Sequence, residues 1–209
     1  AGGLFVAVAL LPHLAVVTQA VAGRWSMTVL PEEWSGTHFA ELFRQGGVAN
    51  SIRNSLLYSS WSASLDLGLG LLIAWLLTRR RVPMGWLLDL FAMLPLAIPG
   101  LVIAFGYVAA FDWRVTWLNP RENPTVLLII SYSVRRLPYM VRAAYAGFQQ
   151  ASLTLEEASL GLGASSATTL RRITLPLVAA NLVAGTILAF AFAMIEVSDS
   201  LILAMRESS

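Results

Sequence analysis

The chain contains no cysteine and no lysine, and all 14 of its basic residues are arginine. Without cysteine it has no disulfides, thiolate metal sites or cysteine nucleophiles. Without lysine it cannot contain the G-x-x-x-x-G-K-[ST] phosphate loop, so it carries no P-loop ATPase of its own. Charge is also scarce: 12% of the 209 residues are charged and the formal net charge is +2. The sequence pI of about 9.4 therefore reflects missing lysine, cysteine and acids more than a basic surface, and no nucleic-acid partner is expected. His13 and His38 stand apart with no metal-ligand spacing around them. No G-x-S-x-G elbow or paired catalytic carboxylates are present. Neither a catalytic residue nor a metal site is expected, and no cofactor should be bound by this chain.

What the chain has in abundance is apolar side chain, 57% of residues, with a mean hydropathy of +0.69. That balance belongs to a membrane protein. The length suits about five spans of roughly 20 residues, read here at 4–22, 55–77, 86–111, 125–147 and 177–199. The expected fold is all-α, a polytopic membrane helical bundle forming one domain over 1–209. The first apolar stretch lacks a basic flank and carries Pro12 and His13, so it reads as a span and not a signal peptide. Gly23 to Ser51, polar and aromatic, should be an interfacial loop with a short amphipathic helix.

The second span ends at Thr78-Arg79-Arg80-Arg81, and three consecutive arginines mark that end as cytoplasmic. Alternation then places 112–124 outside and 148–176 inside. The third span holds Pro95, Pro99 and Gly100, which should break it near mid-membrane. They would supply either a hinge for alternating access or a static kink.

The inner loop opens as a short helix, with Thr154 and Glu157 at capping-box spacing, Glu156 and Glu157 in the first turn, and Gly163 able to end it at positive φ. A second short helix should run from Ser165 or Ser166 to Arg172, before Leu175-Pro176 turns the chain into the last span. Across this loop stand Glu157-Ala158-Ser159, Gly163, Ile173 and Leu175-Pro176. These residues resemble, at the same spacing, the Glu-Ala-Ala…Gly…Ile-x-Leu-Pro signature of binding-protein-dependent ATP-binding-cassette importer permeases. The one departure is serine at the second alanine.

Leu94 to Gly100, Arg136-Leu137-Pro138-Tyr139 with Arg142, and Glu196 to Leu201 are similar to the same family, so the resemblance covers about 54–207. It looks most like permeases for ferric iron. The resemblance implies a type I importer fold in a bacterial or archaeal plasma membrane, embedded in its lipid, with one family span beyond those read here. It also implies that Glu156, Glu157, Ala158, Ser159, Gly161, Gly163, Ile173, Leu175 and Pro176 form a coupling element. The implied partners are ATPase subunits that bind ATP and Mg, a second permease subunit or fused second half, and an external solute-binding protein. The small residues of the loop suit close packing against a moving partner.

Arg135 and Arg136 lie inside the fourth span, where charge is costly unless it faces protein, water or a counter-charge. They would either line a path that favours an anionic solute or an anion-complexed metal, or pair with Asp89, Glu196 or Asp199, or sit lower in the bilayer. Glu196 and Asp199 would form an entry or exit gate at the outer end of the last span, contact a cation, or serve as interfacial caps and pairs. Two other readings stay open: an integral-membrane enzyme using Arg135, Arg136, Glu196 and Asp199, and a channel-like or scaffold subunit without an ATPase.

Overall fold

The computed structural model describes residues 2–44, 46–80, 82–111, 118–119 and 123–204. The expected features at Arg81, most of the outer loop 112–124 and Met205 lie outside them. The chain divides between Asn54 and Ser55 into two compact units.

The first unit contains α1 (Gly2–Ala20), a two-stranded antiparallel ribbon of β1 (Ala22–Arg24) and β2 (Glu33–Trp34), and α2 (Thr37–Arg44). It also holds the start of α3 (Gly46–Arg79). α1 is apolar all round, carries Pro12 and buries no residue. The expected interfacial segment is thus a small hairpin followed by a helix. His38 fastens α2 to the hairpin by donating from Nε2 to the Ala22 carbonyl at 2.9 Å, the ordinary structural role expected of an isolated histidine.

The second unit comprises the rest of α3, then α4 (Gly85–Met93), a 3-10 turn (Leu94–Leu96), α5 (Gly100–Phe111), α6 (Thr125–Gln150) and α7 (Leu153–Gly161). It continues through α8 (Ser166–Thr169), a π turn (Leu170–Thr174), α9 (Leu175–Met194) and α10 (Ser198–Leu203). The segments Gly2–Ala20, Gly47–Arg79 and Ser166–Met194 are long and apolar enough to cross a membrane, and α4 with α5 makes a further crossing if that bent pair counts as one span. The bend is 103°, at the Pro95-Pro99-Gly100 segment. Two prolines that cannot donate backbone hydrogen bonds account for so sharp a break.

α6, the expected fourth span, has the length at 26 residues but not the apolarity. Its polar residues point inward: Ser131, Ser133 and Arg136 are buried on it, and α9 packs along its length. α3 shows the same inversion, with Ser59, Ser62, Ala63, Asp66, Gly70 and Ala74 buried and Leu56, Leu65, Leu69 and Leu72 exposed. Inward positions spaced by three and four residues form one helix face. Small and polar residues at helix contacts with leucine outside is the arrangement a bilayer favours, because lipid removes the apolar driving force between helices.

Along α6 a polar belt separates two apolar clusters. Leu127, Leu128 and Tyr132 join Leu118, Ala193 and Leu203 on one side, and Met140, Ala144 and Phe148 join Ala74, Val178 and Leu182 on the other. Met140 is fully buried between two glycines. A Cβ at Gly70 of α3 would lie 2.7 Å from its Cγ, and one at Gly185 of α9 would lie 2.9 Å from its Sδ and 2.7 Å from Ala143 Cβ.

Two local expectations are corrected. Thr154 and Glu157 do not form a capping box: Ser152 takes the N-cap, and its hydroxyl lies 2.5 Å from Thr154 Oγ1 instead of capping the helix. Nor does Leu175-Pro176 turn the chain, because α8, the π turn and α9 run on as one helical path, Ser166–Met194. The π register reconciles proline with that continuity: Leu175 N–H bonds to the Leu170 carbonyl five residues back, and Pro176 occupies the first turn of α9.

Candidate functional site

The residues singled out from the sequence fall in two places, the α7 corner and the polar belt. At the corner, α7 ends in a Schellman arrangement. Gly163 N–H bonds to the Leu160 carbonyl at 3.0 Å and Ala164 N–H to the Ser159 carbonyl at 3.1 Å, with Gly163 at φ +87°. Only glycine takes that φ without strain, so the expected helix stop at Gly163 is present.

No residue of α7 is buried, and Glu157, Ala158, Gly161 and Gly163 are exposed. A Cβ added at Gly161 or Gly163 would meet nothing within 4 Å. The second half of the signature behaves differently. Ile173 is half-buried, Leu175 packs against the Phe148–Val178 cluster, and Pro176 is an exposed first-turn residue. One half presents small residues outward while the other anchors the segment to the bundle.

Glu156 is not presented outward. Its carboxylate is held by Arg79 at the end of α3, with Nε at 3.1 and 3.2 Å from its two oxygens. Beside this pair lies a groove of about 480 Å³ whose lining includes Trp75, Arg80, Leu153, Glu157 and Leu160.

The polar belt brings together Arg135, Arg136, Glu196 and Asp199. Arg135 Nη1 donates to Glu196 Oε1 at 2.9 Å and to Asp199 Oδ1 at 3.3 Å, while Arg136 donates to the other oxygen of Glu196. Ser131 donates to Asp199 at 2.5 Å, and Tyr132 and Ser200 hydroxyls lie 2.6 Å apart. Glu196 also accepts the Ser198 N–H at 3.1 Å, at the first residue of α10. Of the two sequence alternatives for the arginines, the geometry matches pairing: Glu196 and Asp199 side chains are 4% and 0% exposed. Asp89 pairs instead with Arg142, at 3.0 Å.

Gly100 belongs to this belt, because a Cβ there would overlap the Arg135 guanidinium. Pro95 and Pro99 do not join it by any side-chain bond; they shape the break that brings Gly100 close.

Sequence reasoning missed Asp66 and Arg79. Asp66 accepts from Ser133 at 2.5 Å while fully buried. Its signal was available, since a carboxyl midway along the apolar 55–77 stretch is costly without a partner. Arg79 was read only as part of a topology marker.

Residues 67–204 match the family described as binding-protein-dependent transport system inner membrane component. The chain belongs to that family. A ferric transport system permease protein of Actinobacillus pleuropneumoniae is 35% identical over 164 residues, covering 77% of this chain and 23% of that protein. The molybdenum transport system permease protein of Escherichia coli K12 is 31% identical over 157 residues, 66% of this chain and 63% of that one. A sulfate transport system permease protein of Salmonella typhimurium is 33% identical over 150 residues, 64% and 51% of the two chains. The chain thus spans from about a quarter to under two thirds of the length of these relatives. The family match includes the belt and the whole of the α7 corner.

Proposed function

We propose that this inner membrane component is the permease subunit of an ATP-driven importer. It lines the solute path together with a second permease subunit or a fused second half. An external solute-binding protein delivers the solute, and ATPase subunits carrying ATP and Mg dock on α7 from the cytoplasmic side of a bacterial or archaeal plasma membrane. The residues offered to that partner are Glu157, Ala158, Gly161 and Gly163, with Ser159 behind them and Ile173, Leu175 and Pro176 anchoring the segment.

The observation that carries this reading is the exposure of α7. Ala158 and Gly161 are exposed, with nothing within 4 Å of a Cβ added at Gly161, so packing within the chain does not explain their small size, whereas close approach by a partner does; Gly163 is set in addition by its positive φ. Ferric iron is the first solute to test, with molybdate and sulfate next, following the names of the relatives. The belt arginines are committed to Glu196 and Asp199 and act on this reading as structural ties.

The test is purification of the full-length permease from native membranes, assay for an ATP-hydrolysing subunit, and measurement of uptake of labelled ferric iron, molybdate and sulfate. Glu157→Lys and Gly163→Asp should insert normally but lose uptake. Absence of an ATP-hydrolysing partner in the wild-type preparation would instead favour an enzyme or scaffold, and unchanged uptake in both variants would remove the docking role of α7.

A further inference from the structure

A helix with no fully buried residue is only weakly oriented by apolar packing, and α7 is such a helix, its Leu153, Leu155 and Leu160 remaining about half exposed. Its directional attachments to other elements are polar. Near its C-terminal end, Ser159 Oγ lies 2.9 Å from Thr169 Oγ1 of α8. Near its N-terminal end stands Arg79, the last residue of α3.

The guanidinium of Arg79 serves three elements at once. Nε donates to both oxygens of Glu156 on α7. Nη2 donates to the carbonyls of Phe148 at 2.9 Å and Ala151 at 3.2 Å, at the C-terminal end of α6 where a helix leaves acceptors unpaired. The same group lies over the Phe148 ring at 5.4 Å. The Arg79 and Glu156 side chains are 8% and 15% exposed, so the pair is sheltered from screening. A planar fork meets these acceptors in several directions at once, which an ammonium on a flexible stem does not do with the same rigidity.

We infer that Arg79 is a positioning residue for energy coupling: by holding Glu156 and the end of α6 together, it makes α7 and the end of α3 move as one body. A push on α7 is then carried into the membrane-embedded helix instead of being lost as rotation of a loosely held helix. The inference rests on the reading of α7 as the docking element.

The experiment uses the full-length permease with its ATPase subunits; this chain contributes no cysteine of its own, and any cysteine elsewhere in the complex is replaced before site-directed spin labelling. Labels at Leu72→Cys on α3 and Leu162→Cys just after α7, both exposed positions, report the distance between the two elements. In the wild-type background the distance distribution should be narrow both without nucleotide and with ATP and vanadate. Arg79→Gln should broaden it by about twofold and let its mean shift on trapping, while the ATPase subunit still co-purifies. Arg79→Lys should fall between the two, and the exchange Arg79→Glu with Glu156→Arg should recover part of the narrowing.

Glu156→Gln breaks the ion pair without disturbing the carbonyls of α6, and should loosen α7 in the same way even if the Arg79 variants insert poorly. Distributions as narrow as wild type in both Arg79→Gln and Glu156→Gln overturn the inference. Loss of the ATPase subunit in step with the loosening overturns it too, because the pair would then be a docking contact. A wild-type complex with no ATPase subunit overturns the docking reading itself, and the inference with it.

Discussion

Asp66 on α3 and Ser133 on α6 meet through a 2.5 Å hydrogen bond between two buried residues, Asp66 with no exposed surface. This bond joins α3 to the belt that also contains Arg136, Glu196, Arg135 and Asp199. The belt therefore ties α3, α6, the turn after α9, and α10 at the level where α6 is most polar.

Replacing Asp66 with leucine should destabilise the folded bundle by about 1–2 kcal/mol, since Ser133 loses its acceptor in a place water does not reach. Asp66→Asn keeps an acceptor oxygen and should cost less. Denaturant unfolding in micelles, followed by tryptophan fluorescence, separates the two. Equal costs for leucine and asparagine would show that the hydrogen bond contributes nothing specific.

Glu196 is shared by two guanidinium groups and an N–H, whereas Asp199 answers to one arginine and one serine. Glu196→Gln should therefore be the more damaging change, by about 3–5 kcal/mol, because it leaves buried cations short of charge. Asp199→Asn leaves Arg135 with Glu196 and should cost less than half as much. Adding Arg136→Gln to Glu196→Gln should restore part of the loss, giving a non-additive double-mutant cycle. Additive costs would mean that the pairs act independently.

The parts of this architecture legible in the sequence were those set by short-range chemistry. Pro95, Pro99 and Gly100 announce a broken helix, Arg79 and Val82-Pro83 announce the end of α3, and Gly163 announces the end of α7. The start of α7 was misplaced by two residues because Ser152, Thr154 and Glu157 all suit a helix entrance, and spacing does not rank them. Pro176 reads as a turn in the sequence because no local pattern announces the π turn at Leu170–Thr174 that accommodates it within a continuous helix. α6 reads poorly as a span for a physical reason as well. Its hydropathy averages over residues whose partners lie 50 to 70 positions away, and only the folded bundle shows that Arg136 and Ser133 face acids. The signature at Glu157 to Pro176 was readable as a pattern, but the division between its presented and its anchored halves needed the structure.

Gly70 and Gly185 form the two sides of the site that holds Met140, and their neighbours predict different responses to alanine. Gly70→Ala would press hardest on Met140 Cγ at 2.7 Å and less on its Cβ and backbone carbon at 3.1 and 3.2 Å, while Gly185→Ala would press on Ala143 Cβ at 2.7 Å, which has nowhere to rotate, as well as on Met140 Sδ. Both should destabilise by about 1–3 kcal/mol. In a Met140→Ala background the 2.7 Å contact at Gly70 is gone and the cost of Gly70→Ala should fall to what the Met140 Cβ and backbone carbon impose, whereas most of the cost of Gly185→Ala should persist through Ala143. Unfolding midpoints of the three single variants, the two double variants and the parent test this, and equal relief of both would contradict the close α6–α9 approach.

Gly100 gives the sharpest prediction in the belt, because the group it must avoid is also the group that pairs Glu196 with Asp199. Any side chain at position 100 forces the Arg135 guanidinium to move, and movement lengthens its 2.9 Å and 3.3 Å contacts. Gly100→Ala should then cost stability mainly through Arg135, and in an Arg135→Ala background most of that cost should vanish. The expected coupling is about 1–2 kcal/mol, within the range for residues in direct contact. A hinge role for Gly100 predicts the reverse. If backbone freedom at the break is what matters, Gly100→Ala should slow ATP-driven conformational change equally in both backgrounds and leave unfolding additive. Measuring the unfolding cycle and the vanadate-trapped label distances in the same four proteins distinguishes steric accommodation of Arg135 from flexibility at the break.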